Sequence, residues 1–527
     1  MQPLRPLLAT AALALFLCGP ARAQLTDITQ TPNTIGAGIQ KSLAQEIGVG
    51  RGDPQTPDSS LYLIRRDPFR SVARGRSLFQ RKYTQAQGLG PRAGDGMGSL
   101  DQSPAFGAGL SDSCAGCHSR PFGSAGSGGN VFTRPDSRDA PHLFGLGLKE
   151  MLGDEITHDL RAIRASAIQQ AAVLGADVTL PLTSKTISYG SITAHANGTL
   201  DTSGVQGVNS DLRVRPFFAQ GKTISMREFI VGALKDEMGL EAFDPDLLLA
   251  SQGQDVTTPA GMVLSGSTDS FAPPPVSSAT QDGDGDGVVN EIPVSLVDHL
   301  EFYLLNYFKA GQGEQTPQTQ HGFALVQSLG CTSCHVPDLV IGHDRRVADV
   351  STVFDTARAN DVFSRLYATA IPRYDTIDDG LGLPPLHLPQ AHPFAVRRIF
   401  TDLKRHDLGP RFHERNFDGT VTTQFMTTPL WGVGSTAPYG HDGRSLTLED
   451  AILRHGGEAQ TQRDAFAALS SQDKADLLAA LGSLLLFSPP DTASNLAPAN
   501  PADPQFPMHG HGSIDLSVLF LTPSIKE

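Results

Sequence analysis

The sequence predicts a mainly α fold made of two similar units, with long glycine-rich loops and a small β excursion in the first unit. Three observations predict it. A helix-like stretch runs into a Cys-x-x-Cys-His motif twice, at 114–118 and at 331–335. Apolar residues recur at helical spacing in the segments that follow each motif. Between 172 and 213 the pattern changes to Thr, Ser, Gly and alternating apolar residues, the period of strands.

Residues 74–83 read as a helix leading into the glycine-rich stretch before the first motif, and 155–170 and 224–234 as helices after it. The stretch 251–281, rich in Ser, Thr and Pro, reads as a linker or long loop. In the second half, 297–308 and 321–328 are helical ahead of the second motif, and 447–454 and 472–486 close the unit. The resulting division is a leader at 1–23, a first unit at 24–270, a linker at 271–296, a second unit at 297–490 and a Pro- and Ala-rich tail at 491–527.

The totals narrow the function classes. A chain of 527 residues has room for two or three domains. A net charge of −14 argues against a nucleic-acid partner, whose phosphates require clustered Lys and Arg. Arg5, an apolar core over 7–17 and Ala21-Arg22-Ala23 have the layout of an export signal cleaved near Ala23. The mature chain is therefore expected in the periplasm, and no later apolar run is long enough to span a membrane.

The cysteines carry the chemistry. Of five, Cys18 falls in the leader, and the other four all lie in the two motifs. Four cysteines in an exported chain would ordinarily make two disulfides, but here a His directly follows each pair. That is the attachment pattern of a c-type haem. The two thiols reach the vinyl edge of one porphyrin, and the next residue ligates the iron. Cys114, Cys117 and His118 are thus expected to hold one covalent haem, and Cys331, Cys334 and His335 a second. Zinc would leave both histidines unexplained. The two units are accordingly expected to be cytochrome-c-like haem domains.

In the linker, Asp282, Asp284 and Asp286 alternate with glycines and are followed by Asn290 and Glu291. The pattern resembles the start of a calcium loop, although the twelfth position is Pro293 where such a loop has Glu. A solvated acidic turn is the competing reading.

Taken with the downstream segments, the motifs resemble the bacterial di-haem cytochrome c peroxidase superfamily, and within it the branch of di-haem oxidoreductases also labelled thiol oxidoreductases. The resemblance spans nearly all of the mature chain. It rests on Gly75-Arg-Ser-Leu-Phe-Gln-Arg-Lys-Tyr83, Asp344-Arg-Arg-Val347, Thr428-Pro-Leu-Trp-Gly432 and, above all, Ala437-Pro-Tyr-Gly-His-Asp-Gly443 followed by 447–455. It implies that His455 is the second axial ligand of the C-terminal haem, with Met426, Tyr439 and His441 as fallbacks. It also implies that Glu237 works beside an open N-terminal haem, moving a proton on bound peroxide. His142 is a candidate sixth ligand for that haem. The related enzymes carry a relay Trp just before the glycine that matches Gly221. Here that stretch reads Phe217-Phe218-Ala219, and the single Trp is Trp431.

The resulting expectation is an exported di-haem oxidoreductase of peroxidase type, in which electrons pass through the C-terminal haem to a catalytic N-terminal haem. Its partners would be a small redox substrate such as hydrogen peroxide and a cytochrome or cupredoxin. The alternative is a non-catalytic electron carrier with both haems six-coordinate. The thiol label gains little, because no cysteine is left over for disulfide exchange.

Overall fold

The computed structural model describes residues 47–81, 83, 113–118, 125–127, 130–131, 138–283, 287–308, 311–313, 315–354, 366–416 and 418–486. The leader, the tail from 491 and the loop residues Asp284 and Asp286 lie outside them. Helices are the longest elements: α1 Ser60–Arg66, α2 Pro68–Gln80, α3 Cys114–Cys117, α4 Leu146–Leu174, α5 Met226–Met238, α6 Pro245–Ser251, α7 Val294–Asn306, α8 Pro317–Ser328, α9 Leu448–Arg454, α10 Gln460–Ala467 and α11 Ser471–Gly482. Several start where the sequence supplies a capping acceptor, although α4, α7 and α10 have no side-chain cap. The side chains of Asp67, Ser225, Thr447 and Ser470 each take a first-turn N–H. α5 stops at Gly239, whose left-handed backbone lets the Leu240 N–H return to the Leu234 carbonyl.

The expected β excursion is a three-stranded antiparallel sheet of Val178–Ser184, Ile187–Ala194 and Leu200–Asp201. Other strands depart from the sequence reading. The stretch 251–281 contains a hairpin, Asp255–Thr257 with Val263–Ser265. Between 339 and 426 the chain forms a series of short antiparallel pairs, among them Leu339–Ile341 with Phe394–Val396 and Tyr374–Ile377 with Leu386–Pro389. Strands of three or four residues are too short to declare a period of two. The Ser, Thr and Pro of 251–281 suit a hairpin as well as a loop.

α7 is the axis of the packing, with every residue from Ser295 to Asn306 buried. α2 lies against it through Gly75, where a side chain would collide with the His299 carbonyl and with Tyr303. α4 does the same through Gly147 against Leu305. A helix buried all round is expected to be apolar, yet α7 carries Asp298, His299 and Glu301. A knot of charge resolves this. Arg227 of α5 bonds Asp298 at 2.9 Å, Glu301 at 2.7 Å and Asp244 at 3.0 Å, while Arg51 bonds Asp298 and Asp246. Two guanidinium groups thus face four carboxylates, and burial pushes Glu301 up to about 7. Removing one partner from such a knot leaves an uncompensated buried charge.

His299 is neutral by arrangement. Its Nδ1–H donates to Ser71 Oγ at 2.8 Å, and Arg74 approaches Nε2. Burial first, and then the Arg74 charge, bring its pKa down to about 3.

Two outcomes follow from this packing. Gly75→Ala should overpack the contact between α2 and α7 and lower stability by about 1–3 kcal/mol, read by denaturant unfolding. The His299 pKa is depressed, so the unfolded chain binds more protons between pH 6.5 and about 3, and stability is lost as the pH falls through that window. His299→Gln should flatten the acid limb relative to the parent by up to about 1.36 kcal/mol per pH unit. Parallel curves would contradict the neutral assignment.

Candidate haem-binding cavity

Both motifs form the same turn. The His118 N–H bonds the Cys114 carbonyl at 3.0 Å, and the His335 N–H bonds the Cys331 carbonyl at 3.0 Å. One helical turn places the thiols and the imidazole on a common side. The first turn is capped by Ser113, whose hydroxyl accepts the Gly116 N–H at 2.9 Å. The second is entered through Gly330 at φ +77°, which lets the chain leave α8 and coil again at once.

The two motifs open onto one cavity of about 1120 Å³, shared by Cys114, Cys117, His118, Cys331, Cys334 and His335. Pockets for ordinary small ligands run to roughly 1,000 Å³, so this space is large for a single metabolite. Its donor set fits haem. His118 donates from Nδ1 to the Pro141 carbonyl at 2.7 Å, and His335 from Nδ1 to the Phe400 carbonyl at 3.1 Å. Each bond fixes the tautomer and leaves the Nε2 lone pair for a metal, the usual arrangement of a ligating histidine. Burial holds both rings neutral, bringing His118 down to about 4 and lowering His335. The four cysteines are thiols rather than disulfides. Burial pushes Cys114 up to about 12 and raises Cys331, the opposite of what a disulfide-exchange thiol needs.

The other expected residues sort as follows. His455 lies at the C-cap of α9 and also lines the cavity. It donates from Nδ1 to the Ala451 carbonyl at 2.7 Å, and burial brings it down to about 4, with His335 close enough to contribute. Glu237 lines the cavity from the last turn of α5. Met426, Tyr439 and His441 line it too. The Tyr439 hydroxyl donates to the Val433 carbonyl at 3.0 Å, and His441 stacks on Phe425 at 4.0 Å. The partly buried His142 has its pKa brought down to about 3 by burial of the ring, which bonds the Trp431 main chain, while its buried Nδ1 has no hydrogen-bond partner among the described residues.

Trp431 sits against the first motif's side of the cavity. Its indole packs edge-on against Phe144 and Phe308, each at 5.6 Å. It also fills the space over Gly145, where a Cβ would stand 2.5 Å from the ring. Its Nε1 is buried without a partner among the described residues.

In the acidic loop the main chain converges on buried Glu241, which accepts the Gly283 N–H and the Asn290 N–H, each at 2.8 Å. Glu291 accepts the Glu241 N–H, and Asp282 accepts that of Gly287. Asp284 and Asp286 lie outside the described residues, so calcium there stays an expectation of the sequence.

Sequence reasoning missed several parts of the wall. The carbonyls of Pro141 and Phe400 are main-chain groups with no residue signature. Lys149, its pKa brought down to about 8 by burial, faces the cavity one turn into α4 and lies 5.6 Å from the Phe217 ring. Gln220 donates to buried Glu414 at 2.9 Å, and His406 stands beside Cys334. These pairs are far apart in sequence, and no spacing announces them.

Residues 387–484 match a family model described as "Di-haem oxidoreductase, putative peroxidase". The resemblance to the di-haem oxidoreductases is borne out. The match takes in Trp431, His441 and His455 but neither Cys-x-x-Cys-His motif. It supports a di-haem redox role for the chain. No curated protein matches. Hydrazine synthase of Kuenenia stuttgartiensis is similar at 14% identity over 86% of this chain and 98% of that one, with a TM-score of 0.33. A MauG-like protein associated with microbial copper homeostasis is similar at 16% identity over 64% and 88%, with a TM-score of 0.23. Among the described residues no helix is long and apolar enough to cross a membrane.

Because Trp431 is the single tryptophan and shares the cavity with both motifs, its fluorescence reports on the site. It should be bright and blue-shifted in the haem-free chain and almost wholly quenched once haem is loaded. Gly145→Ala should push the indole out and red-shift the haem-free emission. Emission unaltered by haem would place Trp431 away from the cofactors.

Proposed function

We propose that the protein is an exported di-haem c-type oxidoreductase of peroxidase type, with electrons entering at the C-terminal haem and used at the N-terminal one. The observation that carries this reading is the single cavity that both motifs face, each with a neutral histidine braced by a main-chain carbonyl. When bound, the haems supply the redox couple and the iron that takes peroxide.

The chain's own groups have distinct tasks in this reading. His118 and His335 would each hold a haem iron through Nε2, left free by the Nδ1 bond. His455, with Nδ1 tied to Ala451, offers a second neutral imidazole close to His335 and would help hold the C-terminal haem. Glu237, on the cavity wall, would hold and return a proton as the O–O bond of peroxide breaks. The aromatic ladder of His142, Phe144 and Trp431, with centroids 5.6–5.7 Å apart, gives electrons a packed route past the first motif. The periplasmic setting and a cytochrome or cupredoxin donor belong to the same reading. The chain's acidic charge suits a basic donor.

One observation favours the electron-carrier alternative. The buried Nδ1 of His142 has no partner among the described residues, and an imidazole so placed could fill the sixth position of the N-terminal haem.

Electron paramagnetic resonance of the oxidised, haem-loaded protein separates the two readings. A high-spin signal that disappears on adding peroxide is expected. Glu237→Gln should then lower peroxide turnover by about 10²–10⁴ with the haem spectrum unchanged. Two low-spin signals indifferent to peroxide, even after one-electron reduction, would leave electron transfer as the function.

A further inference from the structure

His406 lies across from the second motif, on the wall of the shared cavity together with Glu458. Its ring nitrogen, an Asp402 oxygen and Cys334 Sγ all lie within 4.8 Å of one another. Such a trio resembles a metal site, but each ring nitrogen already has a carboxylate. Nε2 bonds Asp402 Oδ2 at 2.9 Å, and Nδ1 bonds Glu458 Oε2 at 2.7 Å.

The far oxygens of both carboxylates are also committed. Asp402 Oδ1 accepts the Lys404 N–H at 3.0 Å, and Glu458 Oε1 accepts the Asp407 N–H at 2.9 Å. A carboxylate that accepts at both oxygens is ionised, and an imidazole facing two of them must donate from both nitrogens. His406 is therefore an imidazolium; burial lowers its pKa, but Asp402, Cys334 and Glu458 outweigh burial and raise it to about 11. The clamp is rigid. His406 pairs in a strand with Phe425, and the Tyr189 hydroxyl anchors the Asp402 carbonyl at 2.8 Å.

We propose that His406 supplies the positive charge of its carboxylate clamp at the Cys334 edge of the C-terminal haem, and that it holds the reduction potential of that haem above the value the two carboxylates alone would set. The inference rests on the reading that Cys331 and Cys334 carry a haem. A cation beside the attachment sulfur, in a wall poorly screened by water, disfavours the oxidised, more positive iron. Fixed charge and hydrogen bonding around the sulfurs are among the levers by which a protein sets such potentials. His406 is thus a positioning residue for charge and touches neither iron nor substrate. It would favour uptake of an electron at the C-terminal haem.

The test is redox titration of the haem-loaded chain, followed by visible absorbance. The wave belonging to the C-terminal haem is identified as the one lost in the Cys331→Ser, Cys334→Ser chain. His406→Gln should move that wave down, by about tenfold in the one-electron equilibrium constant or about 59 mV, and leave the other wave in place. Glu458→Gln, at a half-exposed position, should move it up. Opposite signs are the signature of charge, because loosening of the haem pocket would shift both variants the same way. An unmoved wave in His406→Gln, or shifts of one sign in both variants, would overturn the inference with the haem reading intact. Absence of covalent haem at Cys331 and Cys334 in the parent chain would overturn both.

Discussion

The arrangement depends on a main-chain carbonyl behind each motif histidine. A Cys-x-x-Cys-His turn alone fixes where the imidazole starts but not which nitrogen faces inward. Pro141 and Phe400 settle that by taking Nδ1–H. The rings then stay neutral in a buried wall, with the Nε2 lone pair available to iron. Both carbonyls come from segments that follow their motif, by 23 residues in one case and 65 in the other. The long loops are therefore part of the ligand geometry, whatever else they connect.

A cavity this large needs a rigid frame, and the frame is a buried helix with charges on it. α7 meets α2 and α4 at glycines, so the backbones approach closely. It also meets α5 through the guanidinium of Arg227. The knot ties Arg51, Asp244 and Asp246 to the same helix. Such a knot contributes little net stability over an apolar core. What it supplies is a fixed angle between α7 and α5, and α5 is the helix that carries Glu237 to the cavity wall. Around the second motif, the His406 clamp is built on the same plan, with one cation held by carboxylates from distant segments. At these two places, charge is gathered into small closed groups.

How much of this was legible in the sequence depends on the range of each signal. The motifs declare themselves through spacing, and the helices read at 74–83, 224–234 and 447–454 through apolar period; they form over 68–80, 226–238 and 448–454, the first beginning six residues earlier than its period suggested. The strands at 178–194 show as an alternating stretch. His455 and Glu237 were reached only through family resemblance, by register from neighbouring residues, and the structure places both on the cavity wall. Most of the hairpins between 339 and 426 were not legible, because their strands of two to four residues are too short to show a period; the seven-residue pair Ala348–Phe354 with Leu366–Pro372 was long enough and was missed. Nor were Asp402 and Glu458 as partners of His406, or Arg227 as partner of α7. Those pairings join residues 4 to 74 positions apart, and in a sequence they look like ordinary surface charge.

The central claim is that each motif carries its own covalently attached haem in a shared cavity. Intact mass measured under denaturing conditions, on chain produced with a haem-attachment system, tests it most directly. The account predicts a mass two haems above the processed polypeptide, one haem lower in Cys114→Ser, Cys117→Ser and one lower in Cys331→Ser, Cys334→Ser. A mass equal to the polypeptide alone, or lower by the hydrogens lost in two disulfides, would contradict it.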